Sequence, residues 1–416
     1  MKILFLSHGH PSLQVGGAEV YAYELFKGIR DLPGFEAVFL ARSSEPGHNA
    51  RGGTPFRGLD GRSDEILWQS GRFEGFYKVQ PEKDVYTVHL RELLEEWRPD
   101  LVHVQHTDGI GYDILREIRR TVPAAPIVYT LHELQAICHA HGLMITWNGG
   151  QLCRESSPAR CHGCFPHVAP GRFYLRERMI RSQLDLVDQF LAPSQFLLER
   201  YVEWGIPRDR IRFEEYGRMP QDTQPGEPPR GGFAFFGQVA PHKGLLVLLK
   251  AVELLRNSGF LDFHLFIHGG NLEKQPPEFR QRFDELLTKT SDQVTFLGRY
   301  RVRDLARLMR EAAWVVVPSV WWENSPLVIQ EAFMHGRPVI CSDIGGMAEK
   351  VTDGVDGLHF RVGDAASLAA TMRTAAGSPE LWRRLRDGIR PVYTMAETVD
   401  FHAELYRELA ARRKVA

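Results

Sequence analysis

In the stretch WWENSPLVIQEAFMHG, Trp321 to Gly336, two carboxylates stand eight positions apart, Glu323 and Glu331. Glu323 falls in a loop after the apolar run AWVVVPS (313–319), and Glu331 in the second turn of a helix pattern. Ser325 has the side chain of an N-cap, Pro326 suits the first helical position and Gly336 the C′ position. The neighbours of Glu331 are Val328, Ile329, Ala332 and Phe333. A carboxylate among such residues costs free energy unless it is hydrogen-bonded, and a ligand diol such as that of a ribose would satisfy it. The first-turn amides of Ser325, Leu327 and Val328 face whatever Glu323 faces. The pattern predicts a site in which one acid and a set of backbone donors meet one part of a ligand, and the second acid another.

Other strand-end loops carry compatible chemistry. FFGQVAPHKG (235–244) reads as strand, Gly237, short loop and Lys243-Gly244 before a helix, a layout that places a cation and a helix N-terminus where an anion is expected. It lacks Walker spacing. HPSLQVGGAE (10–19) follows the first strand, and Gly16 and Gly17 open the next helix and permit close backbone approach. His132 ends IVYTLH (127–132), with His103 and His106 at the end of LVHVQH (101–106). Cys138, Cys153, Cys161 and Cys164 read C-x14-C-x7-C-x2-C. Four thiols suit a structural zinc, and free cysteines, a labile disulfide and an iron–sulfur cluster are the rival readings.

These residues need a frame of strands and helices. KILFLS (2–7) precedes an amphipathic helix over 18–30, with Ala18, Tyr21, Ala22, Leu25, Phe26 and Ile29 on one face. AVFLA (37–41), LVHVQH, IVYTLH and QFLAPS (189–194) are further strands, apolar throughout as in parallel sheets covered on both faces. RMPQDTQPGEPPRGG (218–232) is a Pro- and Gly-rich linker. FAFFG (233–237), FHLFIHGG (263–270), QVTFLG (293–298), AWVVVPS and RPVICSD (337–343) then repeat the strand pattern, and residues 397–416 form a lone amphipathic helix. The reading is α/β, two doubly wound domains of similar size: 1–217, rejoined by the helix over 397–416, and 233–396. Ligands in such sheets lie beyond the carboxyl ends of strands.

PSVWWENSPLVIQEAFMHGRPVICSDIGGMAEKVTDGVDGLHF, with GGAE, VYTLHE, FLAPSQF and the FGQ…KG loop, resembles family-4 retaining glycosyltransferases of the GT-B fold, whose E-x7-E pair corresponds to Glu323 and Glu331. The resemblance covers nearly the whole chain. It implies two Rossmann-like domains facing each other across a cleft, a nucleotide-sugar donor held by the C-terminal one and an acceptor by the N-terminal one. It implies that Lys243 neutralises the diphosphate, Glu331 accepts from the ribose hydroxyls, and Glu323 with the backbone of Asn324, Ser325, Pro326 and Leu327 holds the transferred sugar, Pro326 having no N–H to donate. It places His132 near the reacting bond, Gly16 and Gly17 beside the diphosphate, and Gly298, Arg299 and Tyr300 against the base. One departure is Gln238, where the family commonly has an Arg paired with the lysine; an amide adds no charge.

The expected activity is transfer from a UDP- or GDP-sugar to a glycan, lipid-linked or small-molecule hydroxyl, as in polysaccharide biosynthesis, without a catalytic cofactor. Two alternatives stand beside it: a weak or inactive nucleotide-sugar-binding partner protein, and an epimerase of the same fold. No Asp-x-Asp occurs. A net charge of -1 gives no case for nucleic acid. The apolar run of KILFLS is too short for a secretory leader and no run spans a membrane, so the expectation is a cytoplasmic protein. RFYLRERMIR (172–181) could meet the inner membrane face, although such a run is more often a solvated helix face.

Overall fold

The computed structural model describes residues 1–13, 16–43, 54–59, 61–69, 72–147, 150–221 and 231–415. Most of the expected linker, residues 222–230, lies outside them. The chain divides into two compact units, residues 1–217 with 393–416, and residues 218–392.

The first unit holds an eight-stranded sheet: β1 (Lys2–Ser7), β2 (Glu36–Arg42), β3 (Phe56–Leu59), β4 (Arg62–Trp68), β5 (Leu101–Val104), β6 (Ile127–Thr130), β7 (Gln189–Ala192) and β8 (Ile211–Phe213). Their spatial order is β3-β4-β2-β1-β5-β6-β7-β8. All pairs are parallel except β3 with β4. This antiparallel hairpin differs from the expected all-parallel sheet. Its strands mix charged and apolar residues because β3 is an edge strand, and its turn passes through Gly61 at φ +76°. The helix Gly17–Arg30 covers β1 with Tyr21, Ala22, Leu25, Phe26 and Ile29, all buried. The helix Met395–Val415 packs beside it. Tyr406 hydrogen-bonds His103 Nδ1, while His103 Nε2 lies 2.8 Å from Thr130 Oγ1. His103 is thereby a satisfied core residue.

The second unit holds a six-stranded parallel sheet: β9 (Gly232–Gln238), β10 (His264–Gly270), β11 (Val294–Gly298), β12 (Trp314–Val317), β13 (Val339–Ser342) and β14 (Gly357–Phe360), ordered β11-β10-β9-β12-β13-β14. Alternate side chains serve opposite faces. Phe233 and Phe235 of β9, with Trp314 and Val316 of β12, pack on Leu245, Leu248, Leu249, Val252 and Leu255 of the helix Leu245–Asn257. Ala234, Phe236, Val315 and Val317 pack on the other face against Ile329 and Ala332. Strand order reverses between β9 and β12, the place where open α/β sheets bind ligands. In the first unit the reversal lies between β1 and β5.

The arginine-rich run falls in the helix Pro170–Leu184. Arg176 turns inward and donates to the carbonyls of Phe76 and Ala136, both at 2.8 Å, and of Gln135. Tyr174, Leu175 and Met179 are exposed. Among the described residues no helix is long and apolar enough to cross a membrane.

Candidate active site

In the second unit the loops after β9 and β12 flank the point where strand order reverses. The β9 loop passes Gly237 and exposed Gln238, then a short turn, Pro241–Lys243, that ends at Gly244. Gly244 adopts φ +74°, and a Cβ there would lie 1.7 Å from the carbonyl oxygen of Pro318. The loop after β12 is held as closely: a Cβ on Gly346 would lie 1.5 Å from the Asn324 carbonyl oxygen, and the Gly346 amide donates to the Glu323 carbonyl at 2.8 Å. Two glycines thus let three loops approach without side chains between them. Gly244→Ala is expected to lower stability by more than about 1 kcal/mol, seen as a lower melting temperature; an unchanged melting temperature would show that the β9 loop tolerates displacement.

This packing puts Lys243 Nζ 2.6 Å from Glu323 Oε1. Ser319 Oγ and Trp321 Nε1 donate to the same oxygen at 2.7 and 2.9 Å. Burial pushes the Glu323 pKa up, but Lys243 and these hydrogen bonds outweigh it and hold the carboxyl below its ordinary value. Lys243 also lies over the Trp321 ring, 5.4 Å from its centroid. His242 packs on that ring, and burial and then Lys243 lower its pKa to about 4, so it is neutral at pH 7.

The helix after this loop runs Leu327–Met334, with Pro326 as its N-cap. The expected cap, Ser325, is displaced by one residue: its Oγ is buried and has no partner among the described residues. The loop bends back to bond Gly346, which moves Ser325 off the capping position and aims no backbone N–H at its hydroxyl. Gly336 is at C′ with φ +63°, as expected. Glu331 sits on this helix and pairs with Arg218. Burial raises the Glu331 pKa and Arg218 opposes the rise. Tyr300 packs against Phe236 and His268, and burial, followed by the Glu331 charge, raises its pKa. Gly298, at φ +73°, ends β11; Arg299 beside it is turned to Glu273 and Asn271 on the exposed surface. The structure therefore brings Lys243 to Glu323 and Arg218 to Glu331. Arg218 lies 113 positions from Glu331, too far for a sequence pattern to pair them.

In the first unit, Gly16 is the extended N-cap of the helix that begins at Gly17. A Cβ on Gly16 would lie 2.3 Å from Glu19 Oε2. Glu19 is buried and lies 3.1 Å from His8 Nε2. Burial works against its charge, yet the His8 ring draws its pKa below the ordinary value. His8 packs on His106 at 4.1 Å between ring centroids, and His106 stacks at 6.1 Å on His132. His132 lies two residues beyond β6; its Nδ1 meets the Tyr216 hydroxyl and its Nε2 lies 3.1 Å from Gln105 Oε1. Burial, then His8, lowers its pKa to about 3, so the ring is neutral at physiological pH. The neighbouring Glu133 is pushed up to about 8 by burial, against a backbone hydrogen bond and Lys78. The cluster Glu19–His8–His106–His132 escaped the sequence reading. Its signal was present, an acid and a histidine on either side of the Gly16-Gly17 turn. A cavity of about 540 Å³ in this unit is lined by Arg42, Lys78 and Asp108 with the aromatic residues Phe76, Trp147 and Phe165.

None of the five cysteines is in a disulfide. Cys138, Cys153, Cys161 and Cys164 line one cavity of about 490 Å³. Among the described residues no three His, Cys, Asp or Glu side chains stand close enough to hold a metal ion as they are placed.

Comparison with known proteins decides what these loops belong to. Residues 15–213 match the family Glycosyltransferase Family 4, and residues 230–377 match Glycosyl transferases group 1. A D-inositol 3-phosphate glycosyltransferase of Mycobacterium sp. (strain KMS) is 32% identical over 340 residues, covering 74% of this chain and 69% of its own. The chain belongs to the glycosyltransferases. The same-named protein of Nocardia farcinica is 28% identical over 370 residues, 81% of this chain and 74% of its own. Sucrose-phosphate synthase from Thermosynechococcus elongatus superposes on the glycosyltransferase with a TM-score of 0.73 at 20% identity, covering 99% of both chains. Anabaena HepE in complex with UDP gives 0.67 at 17% identity, covering 98% and 100%. The two units are thus the two α/β domains of GT-B transferases, and the paired acids lie within the matched group 1 segment of this glycosyltransferase.

Proposed function

We propose that the protein transfers a sugar from a UDP- or GDP-sugar to a hydroxyl of a glycan, lipid-linked or small-molecule acceptor, retaining the anomeric configuration. One observation carries the reading. At the strand-order reversal of the second unit, a buried carboxylate, Glu323, and a largely buried one, Glu331, eight residues apart, are each matched by a cation, Lys243 and Arg218, beside a Ser325 hydroxyl that has no partner among the described residues. A structural neighbour, HepE, has been captured with UDP and with UDP-glucose, which supports a nucleotide-sugar donor.

In this reading Glu331 accepts from the ribose hydroxyls, with Gly298, Arg299 and Tyr300 towards the base. Glu323 and the backbone from Asn324 to Leu327 hold the sugar, and Lys243 meets the diphosphate. The bond from the anomeric carbon to the diphosphate breaks, and its electron pair stays on the leaving oxygen. Lys243 and the helix N-terminus stabilise the charge that grows there. The acceptor oxygen bonds the same face of the anomeric carbon, and its proton passes to the departing diphosphate. No protein nucleophile is required. His132, being neutral, can donate or accept at a sugar hydroxyl without adding charge. The acceptor belongs to the first unit, where the cavity bearing Arg42 and Lys78 offers aromatic walls and charge. A cytoplasmic protein, in peripheral contact with the inner membrane face where the acceptor is lipid-linked, fits this chemistry.

Exposed Gln238 favours a second reading, a donor-binding partner protein with little turnover, since the β9 loop then offers one cation where the family pattern has two. A panel of UDP-, GDP- and ADP-sugars separates these. A bound donor at 100 times its dissociation constant stabilises by roughly 2.7 kcal/mol. Release of nucleoside diphosphate that depends on the acceptor then marks the enzyme, release without acceptor the epimerase chemistry, and stabilisation without release the partner protein. The glycosidic bond of the product is expected to keep the donor's configuration by NMR, and inversion would overturn the mechanism.

A further inference from the structure

We propose that Cys138, Cys153, Cys161 and Cys164 form a tetrathiolate site for one structural zinc ion, which fixes the segment 138–164 and with it one wall of the cavity bearing Arg42 and Lys78. The inference is independent of the transfer reaction.

The four residues come from three pieces of chain that fold towards one another. Cys138 stands at the start, where its carbonyl accepts from the Gly142 amide at 3.1 Å. A short antiparallel bridge, Ile145 with Leu152, then carries Cys153 back, and the Cys153 amide donates to Met144 at 2.7 Å. The helix Pro158–Cys164, capped by Ser157, places Cys161 and Cys164 three residues apart, hence on one helical face. All four thiols line the same cavity, together with His139, Met144 and Phe165, and none is in a disulfide.

The segment is held by a small core only: Cys161 and Phe165 pack, half-buried, against Phe76, Val168 and Phe173. The helix has seven residues and buries none of them, and so short a helix is marginal without packing. Two non-glycine residues in the preceding turn, His141 and Met144, adopt left-handed conformations at φ +51° and +47°. Backbone held in this way persists where surrounding structure over-determines it. Arg176 anchors the entry through the carbonyls of Gln135 and Ala136, Arg200 donates to the Arg154 carbonyl at 2.8 Å, and His162 Nδ1 lies 2.9 Å from the Val168 carbonyl. A metal at the thiols adds a constraint to this small core, as in small folds that a core alone does not hold.

The thiols ring the cavity without converging, and Cys153 Sγ is turned to the Glu155 carbonyl at 3.0 Å. Rotation about the Cα–Cβ bonds re-aims them, and each thiol gives up its proton on binding the ion. Four thiolates around one ion select tetrahedral zinc, with every position filled by protein and none left for water or substrate. His139, Ala140 and Phe165 line both this cavity and the one containing Arg42, Lys78 and Asp108. The ion therefore acts on that cavity as a support and not as a reactant.

The test uses full-length protein purified without chelator and analysed for metal and for free thiols. About one zinc per chain is expected, with four thiols protected from alkylation until a chelator removes the ion. Two double variants, Cys161→Ser with Cys164→Ser and Cys138→Ser with Cys153→Ser, should each lose the metal. If either fails to fold, cobalt substitution of the wild-type protein decides instead, through a sulfur-to-cobalt charge-transfer band and tetrahedral d–d absorption. Metal-free folded protein, zinc retained by a folded variant, iron in place of zinc, or a mass showing one or two disulfides would each overturn the proposal.

Discussion

Replacing Glu331 by Gln is expected to weaken donor binding about 10- to 150-fold. A hydrogen bond to a charged group contributes roughly 1.5–3 kcal/mol, and each 1.4 kcal/mol or so is tenfold in affinity. The side chain keeps its shape, so the loss reports charge and acceptor capacity and not packing. Arg218 complicates the reading, because it pairs with Glu331 at a site where both side chains are largely buried. The Gln variant leaves a guanidinium without its carboxylate, and part of any loss of stability comes from that. Arg218→Gln separates the two effects. If Arg218 only positions Glu331, its loss weakens donor binding less than the loss of Glu331. If Arg218 itself meets the donor in place of the missing charge at Gln238, its loss is equal or larger. Calorimetric titration with donor and with free nucleoside diphosphate distinguishes these outcomes, and unchanged affinity in Glu331→Gln removes Glu331 from the site.

Most strands of both sheets were legible because their chemistry is local, although β8 and β14, short strands at sheet edges, were not read. β12 is Trp-Val-Val-Val with every residue buried, and nothing but a covered parallel strand accommodates that run. The β3–β4 hairpin was not, since an edge strand such as Phe-Arg-Gly-Leu carries no periodic signal. The position of Glu323 after a strand could be read from order alone. Its environment could not: the Ser319 and Trp321 bonds are near in sequence, but Lys243 is 80 positions away and the Gly346 amide comes from the far side of the helix. The same reach explains the Ser325 error. Capping propensity describes a free helix end, and here a non-local hydrogen bond reshaped that end. His132 was found from its strand-end position, whereas its partners Tyr216, Gln105 and His106 meet only in the folded sheet. Long-range pairing of charges is what sequence patterns carry least.

Lys243→Ala is expected to lower kcat about 10²- to 10³-fold, the cost typical of removing one preorganised group aimed at developing charge. The same substitution strips Glu323 of its cation, so lost turnover could in principle reflect a damaged fold. The pH dependence of stability separates the two. In the wild-type protein Glu323 has a pKa below its ordinary value. That pairing stabilises the fold above about pH 4, the unfolded range for a glutamate, and the stabilisation is lost as pH falls through the folded-state value. Removing Lys243 takes away the largest influence opposing burial, so the carboxyl pKa rises. The variant should then be less stable than wild type at neutral pH, with the gap narrowing on acidification as Glu323 becomes protonated in both. Adding Glu323→Gln to Lys243→Ala removes the unpaired buried charge and should recover stability at pH 7. It should recover no turnover, because the cation beside the leaving group is still absent and the sugar has lost Glu323 as well. Turnover returning with stability would mean that Lys243 serves only to neutralise Glu323, and the charge on the departing diphosphate would then have to be met by Arg218 and the amides that open the helix Leu327–Met334.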